Sequence, residues 1–472
     1  MHTDARPAPV SFRQALRFWF KLGCISFGGP AGQIAIMHRE LVQERRWISE
    51  RRFLHALNYC MLLPGPEAQQ LATYLGWLMH RTWGGVAAGA LFVLPSLLLL
   101  MGLSWGYLVF GEMPWMSAVL WGIKPAVAAL VLQAVHRIGS RTLKTPRVAP
   151  LLWAIALASF VAVALLQAPF PVVVLAAAVV GAVAQRWLPG QFGGASAHGA
   201  AMAPPATSSL ATQAAVPLAG PAGDGPQERA WIDDDTPTPA HARYHPARLA
   251  RVLAVGAALW LLPMAALVAV WGWDGTLTHM AWFFTNAALL TFGGAYAVLP
   301  YVYQGAVEHF GWLSAAQMMD GLALGETTPG PLIMVVAFVG FVGGWGQAVL
   351  GPQALLWGAA LAATVVTWFT FLPSFIFVLA GGPLIESTHG KLQFTAPLTA
   401  ITAAVVGVMA SLAVFFVLHL ARSDGMTGGV DVAALGLALA AAWALMRLKW
   451  GVVPVIGACA AVGLARHFLL GA

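Results

Sequence analysis

Charge is what this chain has least of. Asp, Glu, Lys and Arg make up 9% of its 472 residues, against about 25% in soluble domains. Cysteine is also scarce. Cys24, Cys60 and Cys459 stand far apart, which excludes a disulfide framework and a Cys-x-x-Cys metal site. No glycine-rich phosphate loop of the G-x-x-x-x-G-K-[ST] kind occurs, so a nucleotide-driven enzyme is not indicated. No cofactor or metal is expected. The first 17 residues carry Asp4, Arg6, Arg13 and Arg17, a pattern that does not read as a signal peptide.

What is abundant is apolar surface: 59% of residues are hydrophobic and 20 are Trp. The stretches 84–110, 115–135, 148–166, 170–185 and 355–380 reach or approach the ~20 residues that span a bilayer. The composition predicts an all-α polytopic membrane protein with the lipid bilayer as its first partner. The net charge of +7 then reflects basic loops rather than nucleic-acid binding, and no nucleic-acid partner is expected.

The chain also repeats itself. Phe27-Gly28-Gly29 recurs as Phe292-Gly293-Gly294, Trp47 and Ser49 as Trp312 and Ser314, and Pro64-Gly65-Pro66 as Pro329-Gly330-Pro331. These pairs share one offset of 265 residues, and 11 of 49 aligned positions from Phe18/Phe283 onward are identical. A second block at offset 278 pairs Leu94-Pro95-Ser96 with Leu372-Pro373-Ser374, then Leu120, Ile123 and Val127 with Leu398, Ile401 and Val405. Three regions follow: an N-terminal repeat over 1–185, a Gly/Ala/Pro/Ser/Thr-rich flexible linker over 186–248, and a C-terminal repeat over 249–472. Trp47 and Trp312 read as interface anchors.

Charge sets the orientation. Residues 38–53 contain Arg39, Arg45, Arg46, Arg51 and Arg52, whereas the equivalent 303–318 contain no Lys or Arg. The positive-inside rule places the first copy on the cytoplasmic side and the second outside. Five spans between the copies give the same inversion. The expected architecture is two inverted-topology repeats, with the N-terminus and the linker cytoplasmic. The Arg cluster sits on the same side as Arg13 and Arg17, so the short segments around Gly-Gly and Pro-Gly-Pro read as re-entrant or broken helices; plain kinked spans are the alternative.

Each break starts a new half-helix with free N–H groups, which favour an anion. The candidate substrate contacts are therefore Gly28, Gly29, Pro64, Gly65, Pro66, Gly293, Gly294, Pro329, Gly330 and Pro331, with Thr327 and Thr328 just before the last turn. Asn58, Glu67, Gln69, Gln70, Thr73 and Tyr74 add polarity in the first half. Glu67 and Glu326 are read as coupling or gating groups, or alternatively as local helix caps. Lys124, deep in the 115–135 span, is a candidate anion contact. Lys21 reads as a snorkelling side chain.

These same residues resemble the chromate transporter family in its long, two-half form. The resemblance rests on Ser26-Phe27-Gly28-Gly29-Pro30, His38-Arg39-Glu40 with Arg45-Arg46-Trp47, Leu63-Pro64-Gly65-Pro66-Glu67 and Gly122-Ile123-Lys124-Pro125-Ala126-Val127. In the second half it rests on Thr291-Phe292-Gly293-Gly294-Ala295-Tyr296 and Glu326-Thr327-Thr328-Pro329-Gly330-Pro331. It implies a non-enzymatic secondary transporter exporting chromate across the bacterial inner membrane and giving chromate resistance. Another tetrahedral oxyanion such as sulfate or molybdate is the alternative substrate, and a homo-oligomer is compatible with the sequence.

Overall fold

Serine, glycine and proline decide where the short helices begin and end. In a computed structural model, which describes residues 7–192, 229–388, 395–421 and 430–470 apart from 28, 112, 238 and 293, α1 (Phe12–Ile25) starts at a Ser11/Gln14 capping box. It stops at Ser26, and α2 (Gly29–His38) begins behind a Gly29 with φ +71°. Arg39–Glu44 is a π-helical turn. The Ser49 hydroxyl then accepts from the Arg52 amide to open α3 (Glu50–Leu62). After Pro64-Gly65-Pro66 comes α4 (Glu67–Phe110), which breaks its helical dihedrals at His80 and Arg81. The rest of the first half is α5 (Pro114–Thr142), α6 (Pro150–Ala164), α7 (Phe170–Ala184) and the single turn α8 (Pro189–Phe192).

The second half runs α9 (Pro246–Trp271), α10 (Thr276–Leu290), α11 (Leu299–Tyr303), a π-helical turn at Gln304–His309, and α12 (Ala315–Thr327). It ends with α13 (Val335–Gly346), α14 (Leu355–Thr388), α15 (Thr395–Ala421), α16 (Val432–Met446) and α17 (Val452–Leu470). The local structure repeats with the sequence. The π-turns Arg39–Glu44 and Gln304–His309 fall at the same 265-residue offset, and Ser314 caps α12 through the Gln317 amide as Ser49 caps α3. Trp47 and Trp312 each donate a backbone N–H across their π-turn, to Leu41 and Ala306, both at 2.8 Å. Both indoles are buried in the core. They pack against Phe18 and Phe283 inside the core rather than standing exposed as an interface anchor would.

The described residues contain no β-strand, only an isolated bridge between Ile48 and Ile232. Among the described residues six helices are long and apolar enough to cross a bilayer, including Glu67–Phe110, Pro114–Thr142, Pro246–Trp271 and Ala396–Ala421. Outward side chains such as Leu98, Leu157, Leu262 and Leu439 are exposed and apolar, as lipid-facing positions must be. The chain is an all-α polytopic membrane protein. At 1.5 Å per residue α1, α2 and α3 each span only about 15–21 Å, short of a ~30 Å hydrocarbon core.

The halves interlock by exchange. α5 packs on α16 and α17 at the end of the chain, while its counterpart α15 packs on α6 and α7 of the first half. Close approach depends on small residues. A Cβ on Gly122 would stand 2.2 Å from the Cys459 carbonyl oxygen.

The linker departs from its composition. Residues 193–228 lie outside the described residues, but 229–242 are docked on the first half rather than free. Ile232 donates to Trp47 O and accepts from the Ser49 amide, both at 3.0 Å. Asp234 takes the Ser49 hydroxyl at 2.7 Å, and Arg52 binds the carbonyls of Asp233 (2.8 Å) and Thr236. His241 Nε2 reaches Trp77 O at 2.9 Å. Over 229–242 the expected flexible linker is a strap. Asp233 holds its own turn by accepting from the amides of Ala230 and Asp234.

Candidate functional site

Pro-Gly-Pro forces an extended link between two helices: proline has no N–H to offer, and glycine alone tolerates the backbone that follows. Gly65 has φ +120° and Gly330 φ +113°. Both are buried, and each loop meets the broken segment of the opposite half. The Gly330 N–H donates to Ser26 O, and the Gly65 N–H donates to Thr291 O, each at 2.8 Å. Ser26 and Thr291 directly precede the two Phe-Gly-Gly motifs, so the contact is reciprocal, as across a twofold axis. The second repeat block completes it. A Cβ on Gly65 would meet Ser374 Oγ at 2.3 Å, and one on Gly330 would meet Ser96 Cβ at 2.6 Å. The sequence groups these four motifs by homology; the structure groups them in space.

The two loops differ in polarity. Gln33, on α2, donates to Gly330 O at 2.5 Å, whereas its repeat partner is Val298. Around Gly330 the Ser26 hydroxyl, the Ser96 hydroxyl and the Gln33 amide oxygen are all buried without a hydrogen-bond partner. Around Gly65, Gln70 donates to Pro64 O (2.7 Å) and to the Ser374 hydroxyl (3.3 Å), leaving its own amide oxygen unpartnered. Buried polar atoms normally find partners, so such a group marks a place for water, an ion or substrate. Two hydroxyl donors and turnable amides supply the neutral hydrogen bonds an oxyanion accepts.

The other expected residues divide. Gly29, Pro64, Pro66, Gly294, Pro329 and Pro331 form the crossed turns themselves, while Gly28 and Gly293 lie outside the described residues. The Thr327 hydroxyl donates back to Ala323 O and Leu324 O, and the Thr328 hydroxyl to Gly325 O. Their hydrogens are used on α12, so they contribute the end of that helix rather than free donors. Glu67 is buried at the first position of α4. Glu326 is buried and accepts from the Tyr296 hydroxyl at 2.5 Å.

Two cationic partnerships were not legible. Arg137 lies within α5 with its guanidinium 5.6 Å from the ring centre of Tyr296, the tyrosine that donates to Glu326. Lys124 lies on α5, which packs on α12, where Asp320 Oδ2 takes the Tyr107 hydroxyl at 3.0 Å while Oδ1 has no partner. Asp320 is 3% exposed. Its only signal in sequence was a lone carboxylate six residues before Glu326. Each cation comes from α5 of the first half and each carboxylate from α12 of the second. Among the described residues no cluster of three His, Cys, Asp or Glu is placed to hold a metal.

Comparison with known proteins places this architecture. The Chromate transporter family matches residues 13–182 and again 278–464, one match per half. The chain is 33% identical to the chromate transport protein of Pseudomonas aeruginosa over 98% of its own length and 94% of that protein's. The chromate transport protein of Cupriavidus metallidurans is 28% identical over the same shares, and a probable chromate transport protein of Synechococcus elongatus is 28% identical over 86% of this chain and 84% of its own. No solved structure matches. The chain belongs to the chromate transporter family.

Proposed function

We propose that this protein is a secondary transporter that exports chromate, or a tetrahedral dianion of the same shape such as sulfate or molybdate, across the bacterial inner membrane and so confers chromate resistance. The observation that carries the reading is the Gly330 crossing, where the Ser26 and Ser96 hydroxyls and the Gln33 amide surround a buried turn with unspent hydrogen-bonding capacity. The relatives' names support chromate as the substrate. The regions 1–185 and 249–472 act as the two halves, the second inverted, with the N-terminus and the linker cytoplasmic. The reciprocal crossing and the Arg-rich 38–53 segment against its Arg-free counterpart support that arrangement. Alternating access would rock one half against the other around the crossing.

Export needs no other energy source. One charge moving through 100 mV is worth about 2.3 kcal/mol, so a dianion leaving a negative interior gains about 4.6 kcal/mol. That sustains a concentration ratio of roughly a thousandfold or more. Proton exchange through Glu67 or Glu326 would add to this rather than replace it.

The test is labelled chromate uptake into everted membrane vesicles under an imposed potential, with sulfate as competitor. Uptake that requires the potential, and that falls in Ser96→Ala and Gln33→Leu protein inserted as well as wild type, supports the reading. Uptake no greater than in empty vesicles would falsify it.

A further inference from the structure

Away from the crossed loops, a cavity of about 430 Å³ opens beside α1, with Arg17, Lys21 and Arg45 on its wall together with Gln14, Phe18 and Trp47. Gln14, Arg17 and Lys21 share one face of α1 by their spacing of three and four. Arg45 comes from the end of the π-turn and is held in place: its Nε donates to Glu40 at 3.0 Å, and its guanidinium carbon lies 5.3 Å from the rings of both Phe18 and Trp47. Lys21 Nζ stands 3.8 Å from the other oxygen of the same Glu40. Arg45 and Lys21 thus share one carboxylate and Arg17 adds a third cation, a surplus of two positive charges around one hollow. Clefts lined by a single sign of charge focus the field and concentrate counter-ions.

We propose that this cavity binds a doubly charged tetrahedral oxyanion group, free in solution or carried as the phosphomonoester headgroup of a lipid. The surplus matches the charge of such a group. Arg45, fixed by Glu40 through Nε, retains its two terminal nitrogens, whose fork geometry suits paired oxyanion oxygens. Arg17 and Lys21 are exposed and able to close over the ligand. The site is separate from the crossing, yet shares an element with it. Lys21 lies five residues, about 7.5 Å of helix rise, before the Ser26 whose carbonyl holds Gly330.

The experiment uses the full-length chain, wild type and the Arg17→Gln/Lys21→Gln pair, with Arg17→Lys as the charge-conserving control. Equilibrium dialysis with labelled sulfate in neutral detergent and mass spectrometry of lipid retained after purification are run side by side. Sulfate affinity falling about tenfold in the double variant, retained in Arg17→Lys and with bound lipid unchanged, assigns the site to the free anion. Loss of a retained anionic lipid, with sulfate affinity unchanged, assigns it to a headgroup. A double variant that keeps the wild-type melting temperature and changes neither readout overturns the proposal; if it does not fold, the single exposed change Arg17→Gln answers the same question. Vesicle flux is scored separately, so absence of chromate transport with intact, Arg17-dependent sulfate binding would remove the transport reading alone.

Discussion

The Gly65 amide donates to the Thr291 carbonyl across 2.8 Å, and 265 residues later the Gly330 amide returns the same bond to Ser26. Each link joins a loop of one half to the break of the other.

Replacing these glycines with alanine should damage both crossings, but only one damage is repairable. Both backbones sit at positive φ, where a side chain costs about 1–3 kcal/mol. At Gly65 the nearest obstacle is Ser374 Oγ, so Ser374→Ala should recover part of the melting temperature lost in Gly65→Ala. At Gly330 the obstacle is Ser96 Cβ, so Ser96→Ala should recover nothing. Thermal unfolding in detergent of the four variants decides it.

Tyr296→Phe strips the buried Glu326 carboxylate of its hydroxyl donor and should destabilise the protein by about 1–3 kcal/mol. Adding Glu326→Leu, which removes the orphaned acceptor, should bring the loss back toward wild type. Denaturation midpoints that place the double variant below Tyr296→Phe would argue against the pair acting as a unit.

Lys124 and Asp320 should be coupled. Lys124→Ala and Asp320→Asn, on the packed helices α5 and α12, should show a coupling energy of about 0.5–3 kcal/mol in a double-mutant cycle with the Tyr107 bond left in place. Strict additivity would mean that the two groups do not sense each other, and Lys124 would be free to serve the substrate.

The strap over 229–242 should loosen in acid. Burial holds the His241 imidazole below its ordinary 6.5, and the nearby Arg81 and Arg248 push it the same way, against the opposing bond to Trp77 O. The docked strap prefers the neutral ring, while the released chain takes up a proton first. Docking is therefore strongest above pH 6.5 and weakens as pH falls below it toward the lower docked value. Hydrogen exchange across 229–242 should rise over that window, and His241→Gln should flatten the profile.

What the sequence disclosed was its punctuation. Glycine, proline and the capping serines carry their reason in their own backbones, so the repeats, the breaks and the spans 84–110, 115–135 and 355–380 could be read from the sequence, whereas the expected spans 148–166 and 170–185 are apolar helices of 15 residues each. Arg137, Tyr107 and Asp320 could not, because their meaning lies in a partner on the opposite half. The strap misled for the opposite reason. Its composition reads as a flexible linker, yet two carboxylates of Asp233-Asp234-Asp235 are engaged by amides and by the Ser49 hydroxyl.

The exchange of α5 and α15 between terminal hairpins, together with the paired glycine bonds, bears on how such a molecule could have arisen. A chain of one half alone would carry a Pro-Gly-Pro amide without the acceptor it has here and a fifth helix without the hairpin it packs on here. A second copy of itself, met face to face, would supply both. The present molecule reads as that encounter made permanent by joining the two copies in tandem, after which each was free to keep different polar residues, Gln33 on one side and Val298 on the other.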